Sequence, residues 1–253
     1  MKIWINIFIA IFCMGIFITE KGFAIADDPP NPKYVGSYVK LLFSFDNIHQ
    51  RGSYECGGVI IGSDLVLTAS HCFDDNWLNA KKRDVEVSYG KIYSKMFGRS
   101  AHLYSGKSLV RFMPSVDIAI FKVDTDMTSI GKGAEIAKLP ESCSKGGPGV
   151  VYPFEGIAYQ LMGDDGIILP HTIYQTTTTL IEKFSKIEAI NGYELRTHIT
   201  GIKGDSGSPI FSKDGILLGI FSRFSFSYQY SYFPAICYYR HRIEAIKEKL
   251  HGS

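Results

Sequence analysis

Three segments of the 253-residue chain contain residues whose chemistry could be combined in one site. Residues 204–209 (GDSGSP) place Ser206 between glycines, on a turn of the kind that brings backbone N–H groups together. A serine hydroxyl is a poor nucleophile at neutral pH unless a neighbouring imidazole accepts its proton during attack. His71 follows an apolar segment, and Asp117 lies within the apolar residues 116–121. Because an acid in such surroundings needs a hydrogen-bonding partner, these residues together indicate nucleophilic catalysis.

The chain order of these residues resembles that of the chymotrypsin/trypsin family of serine proteases. Residues 56–72 resemble the first barrel of that family around its histidine, and residues 216–222 (ILLGIFS) resemble the strand that lines its substrate cleft. The resemblance covers nearly all of the chain after its first residues. It implies that His71 acts as general base and then general acid, that Asp117 holds the imidazole tautomer, and that Ser206 attacks the substrate carbonyl.

The same resemblance implies roles for the residues beside the serine. The backbone N–H groups of Gly204 and Ser206 would form an oxyanion hole, and the Asp205 carboxylate would pair with the ammonium group of a mature N-terminus. The usual IVGG sequence is absent, and Ile25 stands at about the equivalent position. We hypothesise that signal cleavage directly before Ile25 yields active enzyme, whereas cleavage two residues later would remove this residue.

The substrate pocket is where the sequence departs from trypsin. Thr200 stands where trypsin has the aspartate that selects Lys and Arg, so we do not expect specificity for basic residues. Ser222 and Phe224 lie in the segment that forms the pocket edge, and the bulk of Phe224 would narrow or cover the mouth. Aromatic and polar residues alternate along 224–232. This pattern fits an aromatic wall for apolar substrate side chains, and equally the packed face of a hairpin.

The first residues have the layout of a secretory signal peptide. A positive start at Lys2 is followed by the uncharged, mostly apolar residues 3–18 and then by small residues. An uncleaved membrane anchor is the alternative, because the apolar run approaches the ~18–20 residues that span a bilayer. We predict cleavage after residue 24, or after residue 26. Residues 25–253 would then be one secreted domain with two barrel halves, or a periplasmic one if the source is a Gram-negative bacterium.

Cysteine usage agrees with export. Of five cysteines, Cys13 lies in the predicted signal peptide, and the remaining four allow three pairings. Spacing favours a bond between Cys56 and Cys72, and the family resemblance implies a bond between Cys143 and Cys237. No Cys-x-x-Cys motif or Cys/His spacing suits a metal, so we predict neither a metal nor a cofactor.

The residue pattern alone predicts an all-β protein with one terminal helix. Many short β-branched and aromatic runs are separated by Gly, Asn, Asp or Pro, and only residues 242–250 have helical spacing. The strand-like segments are 38–45, 58–69, 85–89, 108–112, 118–123, 150–152, 157–161, 173–180, 194–199 and 210–221. The resemblance implies two six-stranded antiparallel β-barrels with the site between them.

These patterns predict a monomeric, secreted serine endopeptidase that hydrolyses peptide bonds of protein or peptide substrates through an acyl-enzyme. The formal net charge is +2 and the basic residues do not cluster, so we expect no nucleic-acid partner, and no membrane partner after signal removal. A catalytically silent protein of the same fold, which binds a partner through its cleft, is the alternative. An esterase is disfavoured, because Ser208 replaces the second glycine of a Gly-x-Ser-x-Gly motif.

Overall fold

A computed structural model gives the positions of most residues between 36 and 251. The described residues are 36–47, 51–91, 97–103, 110–113, 116–129, 134–143, 153–160, 174–181, 185–187, 192–197, 204–212, 215–228 and 230–251. They form curled antiparallel sheets and a C-terminal helix, which confirms the predicted fold of two barrels followed by a helix. The predicted signal peptide and the predicted strand at 150–152 lie outside these residues.

The first half of the chain forms one curled sheet with strand order β5-β4-β1-β2-β3-β7-β6. Its strands are β1 (Tyr38–Asp46), β2 (Arg51–Gly62), β3 (Leu65–Thr68), β4 (Lys82–Lys91), β5 (Phe97–His102), β6 (Val110–Phe112) and β7 (Ala119–Lys122). Leu103, directly after β5, bridges to Val123, directly after β7, so the sheet curls round to meet its other edge. β5 and β6 therefore lie along the same partner strand, and the seven strands occupy six positions around this barrel.

The second half forms two four-stranded antiparallel sheets, with orders β10-β11-β15-β14 and β13-β12-β8-β9. Its strands are β8 (Pro153–Gln160), β9 (Tyr174–Ile181), β10 (Ser185–Ile187), β11 (Gly192–Thr197), β12 (Pro209–Ser212), β13 (Leu217–Ile220), β14 (Arg223–Ser225) and β15 (Tyr230–Pro234). A bridge between Gly219 and Ala235 connects the two sheets. The predicted single strand at 210–221 is thus two strands, β12 and β13, which pair with each other as a hairpin.

The described residues contain two α-helices. Helix α1 (Asp75–Leu78) begins after Asp74, whose side chain accepts a hydrogen bond from the Trp77 N–H at 2.8 Å. Helix α2 (Ile236–His251) begins six residues before the predicted start at 242, so Cys237 lies in its first turn. No helix in the described part of the chain is long and apolar enough to cross a membrane.

The central strands are apolar on both faces because each face is covered. In β3, Leu65 and Leu67 pack into the core between the two halves, whereas Val66 packs inside the first barrel. β7 follows the same rule, with Ile120 towards the second half and Phe121 inside the barrel. The sequence of a strand that is covered on both faces is a continuous apolar run rather than an alternation of apolar and polar residues. The core between the halves thereby holds the two barrels together.

Two disulfide bonds form as predicted, Cys56 with Cys72 and Cys143 with Cys237. The first closes 16 residues of sequence and the second closes 94. On chain-entropy grounds a loop of the first size is worth ~3 kcal/mol of stability and a loop of the second size is worth more than 4 kcal/mol. Bonds of this kind persist in oxidising compartments.

We expect Gly219→Ala to destabilise the second barrel, because a Cβ there would lie 2.7 Å from the Phe233 Cβ and 3.1 Å from the Pro234 carbonyl oxygen. Overpacking of this kind costs about 1–3 kcal/mol. Gly36→Ala is the matched control, because the three atoms nearest to its Cβ all belong to the exposed Glu135 side chain, whose outer atoms can rotate away. Urea unfolding would measure both. Equal stabilities for the two variants would contradict the close approach at Gly219.

Candidate active site

The structure brings His71, Asp117 and Ser206 together between the two barrels. The His71 Nδ1 atom lies 2.7 Å from Asp117 Oδ2, and its Nε2 atom lies 2.6 Å from Ser206 Oγ. The His71 side chain is about half exposed and the Asp117 side chain is 21% exposed. The imidazole therefore has one nitrogen on a largely buried carboxylate and the other on a hydroxyl that solvent can reach.

The histidine is fixed by the short 3-10 turn Ser70–Cys72 that follows β3. Cys72, the last residue of the turn, is bonded to Cys56 in β2. Thr68, at the end of β3, donates its hydroxyl to the Gly57 carbonyl at 2.7 Å. These covalent and hydrogen-bonded contacts hold the turn on the barrel and set the position of the imidazole.

Asp117 accepts four hydrogen bonds, two on each oxygen. Oδ1 accepts from the Ser70 hydroxyl at 2.7 Å and from the His71 backbone N–H at 3.0 Å. Oδ2 accepts from His71 Nδ1 at 2.7 Å and from the Ser222 hydroxyl at 2.6 Å. These four bonds match the roughly four acceptor sites of an ionised carboxylate.

Burial alone would raise the pKa of the Asp117 carboxyl. The hydrogen bond and charge of His71, and the hydrogen bonds from Ser222 and Ser70, outweigh burial and hold this pKa well below its usual range. The carboxylate is therefore ionised at neutral pH. The sequence singled out Ser222 only as a pocket residue and did not indicate Ser70, because a donor at either position is recognisable only once the partner across the fold is known.

The serine lies in a tight loop that touches the first barrel. Gly57 donates its N–H to the Ser206 carbonyl at 2.7 Å, and Gly207 donates its N–H to the Phe221 carbonyl at 2.8 Å. Gly207 has φ +81°, and a Cβ there would lie 2.2 Å from Thr68 Oγ1. Only glycine fits both this backbone conformation and this space.

The serine loop also contains backbone N–H groups that are not used within the loop. Gly204 has φ +104°, a conformation that L side chains rarely adopt. The N–H of Ser208 is used locally by the Asp205 carbonyl at 2.8 Å. Within the described part of the chain, the N–H groups of Gly204 and Ser206 donate to no acceptor. These two are the donors that the sequence comparison with the family indicated.

The substitution of serine for glycine at position 208 is accommodated by a glycine opposite. Ser208 is 2% exposed, and a Cβ on Gly57 would lie 2.2 Å from its Oγ. Ser208 Oγ lies 3.2 Å from the Tyr38 hydroxyl. Burial raises the pKa of the Tyr38 phenol, and the charge of Asp205 raises it further.

Asp205 is 1% exposed. Ile25 lies outside the described residues.

The pocket side of the site is aromatic. Phe224 is half-buried, pairs across the strands with Ser231, and stacks edge-on against Phe226 with ring centroids 5.0 Å apart. Phe226 is 80% exposed, whereas Tyr232 is 9% exposed. The alternating aromatics therefore do not form one continuous surface. Thr200, which the sequence assigns to the substrate pocket, lies outside the described residues.

Fold and geometry together define a trypsin-like serine protease fold. The sequence model of the family described as Trypsin matches residues 39–237, and the chain belongs to this family. It is 23% identical to Trypsin beta of Drosophila erecta over 81% of this chain and 83% of that protein. It is 28% identical to Kallikrein 1-related peptidase b22 of Mus musculus over 69% of this chain and 71% of that protein.

Among solved structures, the chain is similar to the scabies mite inactivated protease paralogue S-I1. The TM-score is 0.60 at 20% sequence identity, with 88% of this chain and 98% of that chain covered. At this identity the likeness concerns the fold alone.

We expect Ser70→Ala to destabilise the protein by about 1–2 kcal/mol at pH 7, because it removes a hydrogen bond to a charged, largely buried carboxylate. The lowered pKa of Asp117 stabilises the folded state above the unfolded pKa of about 3.9, and this stabilisation is lost as the pH falls through the folded value. Ser70→Ala raises the folded pKa, so acid should unfold this variant at a higher pH than the parent. Urea unfolding at pH 7 and acid titration would measure both effects.

The same substitution in an Asp117→Asn background is the control for that prediction. Ser70 would there face a neutral amide, so we expect its removal to cost less than about 0.5 kcal/mol. An equal cost in both backgrounds would show that Ser70 acts on stability without acting through the Asp117 charge.

Proposed function

We propose that the chain is a secreted serine endopeptidase that hydrolyses peptide bonds through an acyl-enzyme. The observation that carries this proposal is the pair of contacts at His71, 2.6 Å to Ser206 Oγ and 2.7 Å to Asp117 Oδ2. An imidazole held by a carboxylate and in hydrogen-bond reach of a hydroxyl is the arrangement that activates serine for attack on a carbonyl.

In the proposed reaction, Ser206 Oγ bonds to the substrate carbonyl carbon as its proton passes to His71 Nε2. The negative charge that develops on the carbonyl oxygen is stabilised by the N–H groups of Gly204 and Ser206. His71 then gives the proton to the leaving amine, the C–N bond breaks, and an acyl-enzyme remains. Water then attacks the acyl carbonyl as His71 accepts its proton. The bond to Ser206 Oγ breaks, the serine regains the proton from His71, and the carboxylic acid product is released. Asp117 stays ionised throughout because its pKa is well below its usual range.

The proposed specificity is not for Lys or Arg. Thr200, Ser222 and Phe224, the three residues that we assign to the pocket, carry no negative charge with which a basic side chain could pair. Phe224 is half-buried and pairs with Ser231 across β14 and β15. We propose that the bulk of its ring narrows the pocket and so disfavours long side chains.

Phe224 also supports a second candidate function, that of a catalytically silent protein that binds a partner through the same cleft. The similar fold of an inactivated protease paralogue of the scabies mite is consistent with such a role. The hydrogen-bonded contact between His71 and Ser206 favours the enzyme, because a binding protein has no need of it.

We expect the secreted protein to react with a fluorophosphonate probe and the Ser206→Ala variant not to react. The probe phosphonylates a serine, with loss of fluoride, only where an adjacent base and an oxyanion hole activate it. Gel fluorescence after labelling would measure the reaction, and Ser208→Ala, a second buried serine two residues away, would be the control. Because Ser208 does not contact His71, its removal should leave labelling in place. A folded parent protein that fails to label would favour the silent binding protein.

We further propose that residues 1–24 are a signal peptide and that Ile25 is the mature N-terminus, whose ammonium group pairs with Asp205. Asp205 is 1% exposed, and a buried carboxylate needs counter-charge and hydrogen bonds to offset its desolvation, which an ammonium group would supply. N-terminal sequencing of the secreted, probe-reactive protein should begin at Ile25. A sequence that begins at Asp27 in fully reactive protein would contradict this pairing.

A further inference from the structure

The short strand β14 forms an edge of its sheet and begins beside the candidate site. In the order β10-β11-β15-β14, its one partner among the described residues is β15. Ser222, directly before β14, donates its hydroxyl to Asp117 at 2.6 Å. Edge strands offer a row of backbone groups to which an extended peptide can add as a further strand. A peptide that did so here would lie alongside the Arg223 and Phe224 side chains.

Arg223 in β14 forms an ion pair with Glu194 in β11, across the intervening strand β15. Its Nη2 atom donates to Glu194 Oε2 at 2.7 Å and its Nη1 atom donates to the other oxygen, so the pair is bidentate. The guanidinium carbon lies 4.4 Å from the ring centroid of Tyr232, and that of Arg196 lies 5.5 Å from the same ring. Arg196, Tyr232 and Arg223 occupy paired positions across β11, β15 and β14. They therefore share one face of the sheet.

Burial of the pair is one-sided. The Glu194 side chain is 4% exposed, whereas the Arg223 side chain is 47% exposed. A ligand alongside β14 can therefore contact the Arg223 side chain, whereas the Glu194 carboxylate is covered. A guanidinium has five N–H donors, of which Glu194 uses two. The Tyr232 ring and the Glu194 carboxylate hold the guanidinium of Arg223 in place. The side chain therefore loses little rotamer freedom when its remaining N–H groups bind a ligand.

The charge of this group is positive. Among the described residues of this face, the guanidinium groups of Arg196 and Arg223 exceed the carboxylate of Glu194 by one positive charge. Burial raises the pKa of Glu194, the two arginines oppose the rise, and the charge of Asp117 adds to it. Any protonation of Glu194 would make the face more positive.

We propose that Arg223 makes the site select peptides with an aspartate or glutamate side chain beside it. The inference rests on the proposed protease function and names a substrate class for it. Neighbouring residues of a strand point to opposite faces, so the acidic side chain lies on the Arg223 face. The neighbouring side chain of the peptide lies on the opposite face, beside Phe224. Arg223 and Phe224 therefore select two different side chains of one extended peptide.

A library of fluorogenic peptides tests this inference, with Asp, Asn or Lys placed in turn at each position near the cleaved bond. We expect kcat/KM for Asp to exceed that for Asn at least 10-fold at one position, and Lys to be worst there. Arg223→Gln alone would leave the buried Glu194 without its cation, so the informative variant is Arg223→Gln with Glu194→Gln. This variant keeps both shapes, and its preference for Asp over Asn should fall to within 2-fold while Asn peptides are still cleaved.

Arg83→Gln is the matched control, because Arg83 also lies over an aromatic ring, 5.0 Å from the Trp77 centroid, on the other barrel. It should keep the full preference for Asp. An absence of acidic preference in the parent protein, or a preference that survives in the double variant, would overturn the inference.

Failure of the protease proposal gives a different result, in which neither probe labelling nor cleavage of any peptide occurs. The same peptides would then be measured for binding by fluorescence anisotropy. Tighter binding of the Asp peptide, lost in the double variant, would support acidic recognition in a silent protein. Equal binding of Asp and Asn peptides would overturn it.

Discussion

The buried negative charge of Asp117 is the constraint on which the arrangement of the two barrels depends. A carboxylate out of water needs nearly all of its acceptor sites filled, because each unfilled site costs free energy. Ser70 and His71 of the first barrel supply three of its four hydrogen bonds, and Ser222 of the second half supplies the fourth. The halves must therefore meet at this charge, and the imidazole is oriented towards the serine as a consequence.

A second contact between the halves is made by backbone atoms. The N–H of Gly57 reaches the Ser206 carbonyl, and Gly207 lies against Thr68 with no room for a side chain. Because main-chain atoms have no rotamers, this contact fixes the serine loop more rigidly than side-chain packing would. Ser208 fits in the same place only because Gly57 faces it. The two contacts together determine the distance between hydroxyl and imidazole.

The sequence was informative wherever a feature is encoded locally. The segments around His71, Asp117 and Ser206 each have a local signature, and the structure places these three side chains in contact. The ion pair between Arg223 and Glu194 joins residues that are 29 positions apart in sequence and lie on either side of β15. No local sequence pattern reveals such a partner. Strand β5 was not predicted because its residues 97–102 (FGRSAH) lack alternation, and its pairing with β4 overrides weak propensity. The start of α2 was obscured by the aromatic residues of its first turns.

The C-terminal helix has a consequence for how the chain matures. Leu250, in its last turn, is fully buried in the core that also contains Tyr38 and Ile120 of the first barrel. Lys122 donates a hydrogen bond from its ammonium group to the Leu250 carbonyl at 3.2 Å, so the last turn of α2 packs onto strand β7, which is synthesised much earlier. Part of the outer face of the first barrel stays uncovered until helix α2 has been synthesised. This core is therefore completed only once α2 has left the ribosome, and its apolar strands stay open to association until then.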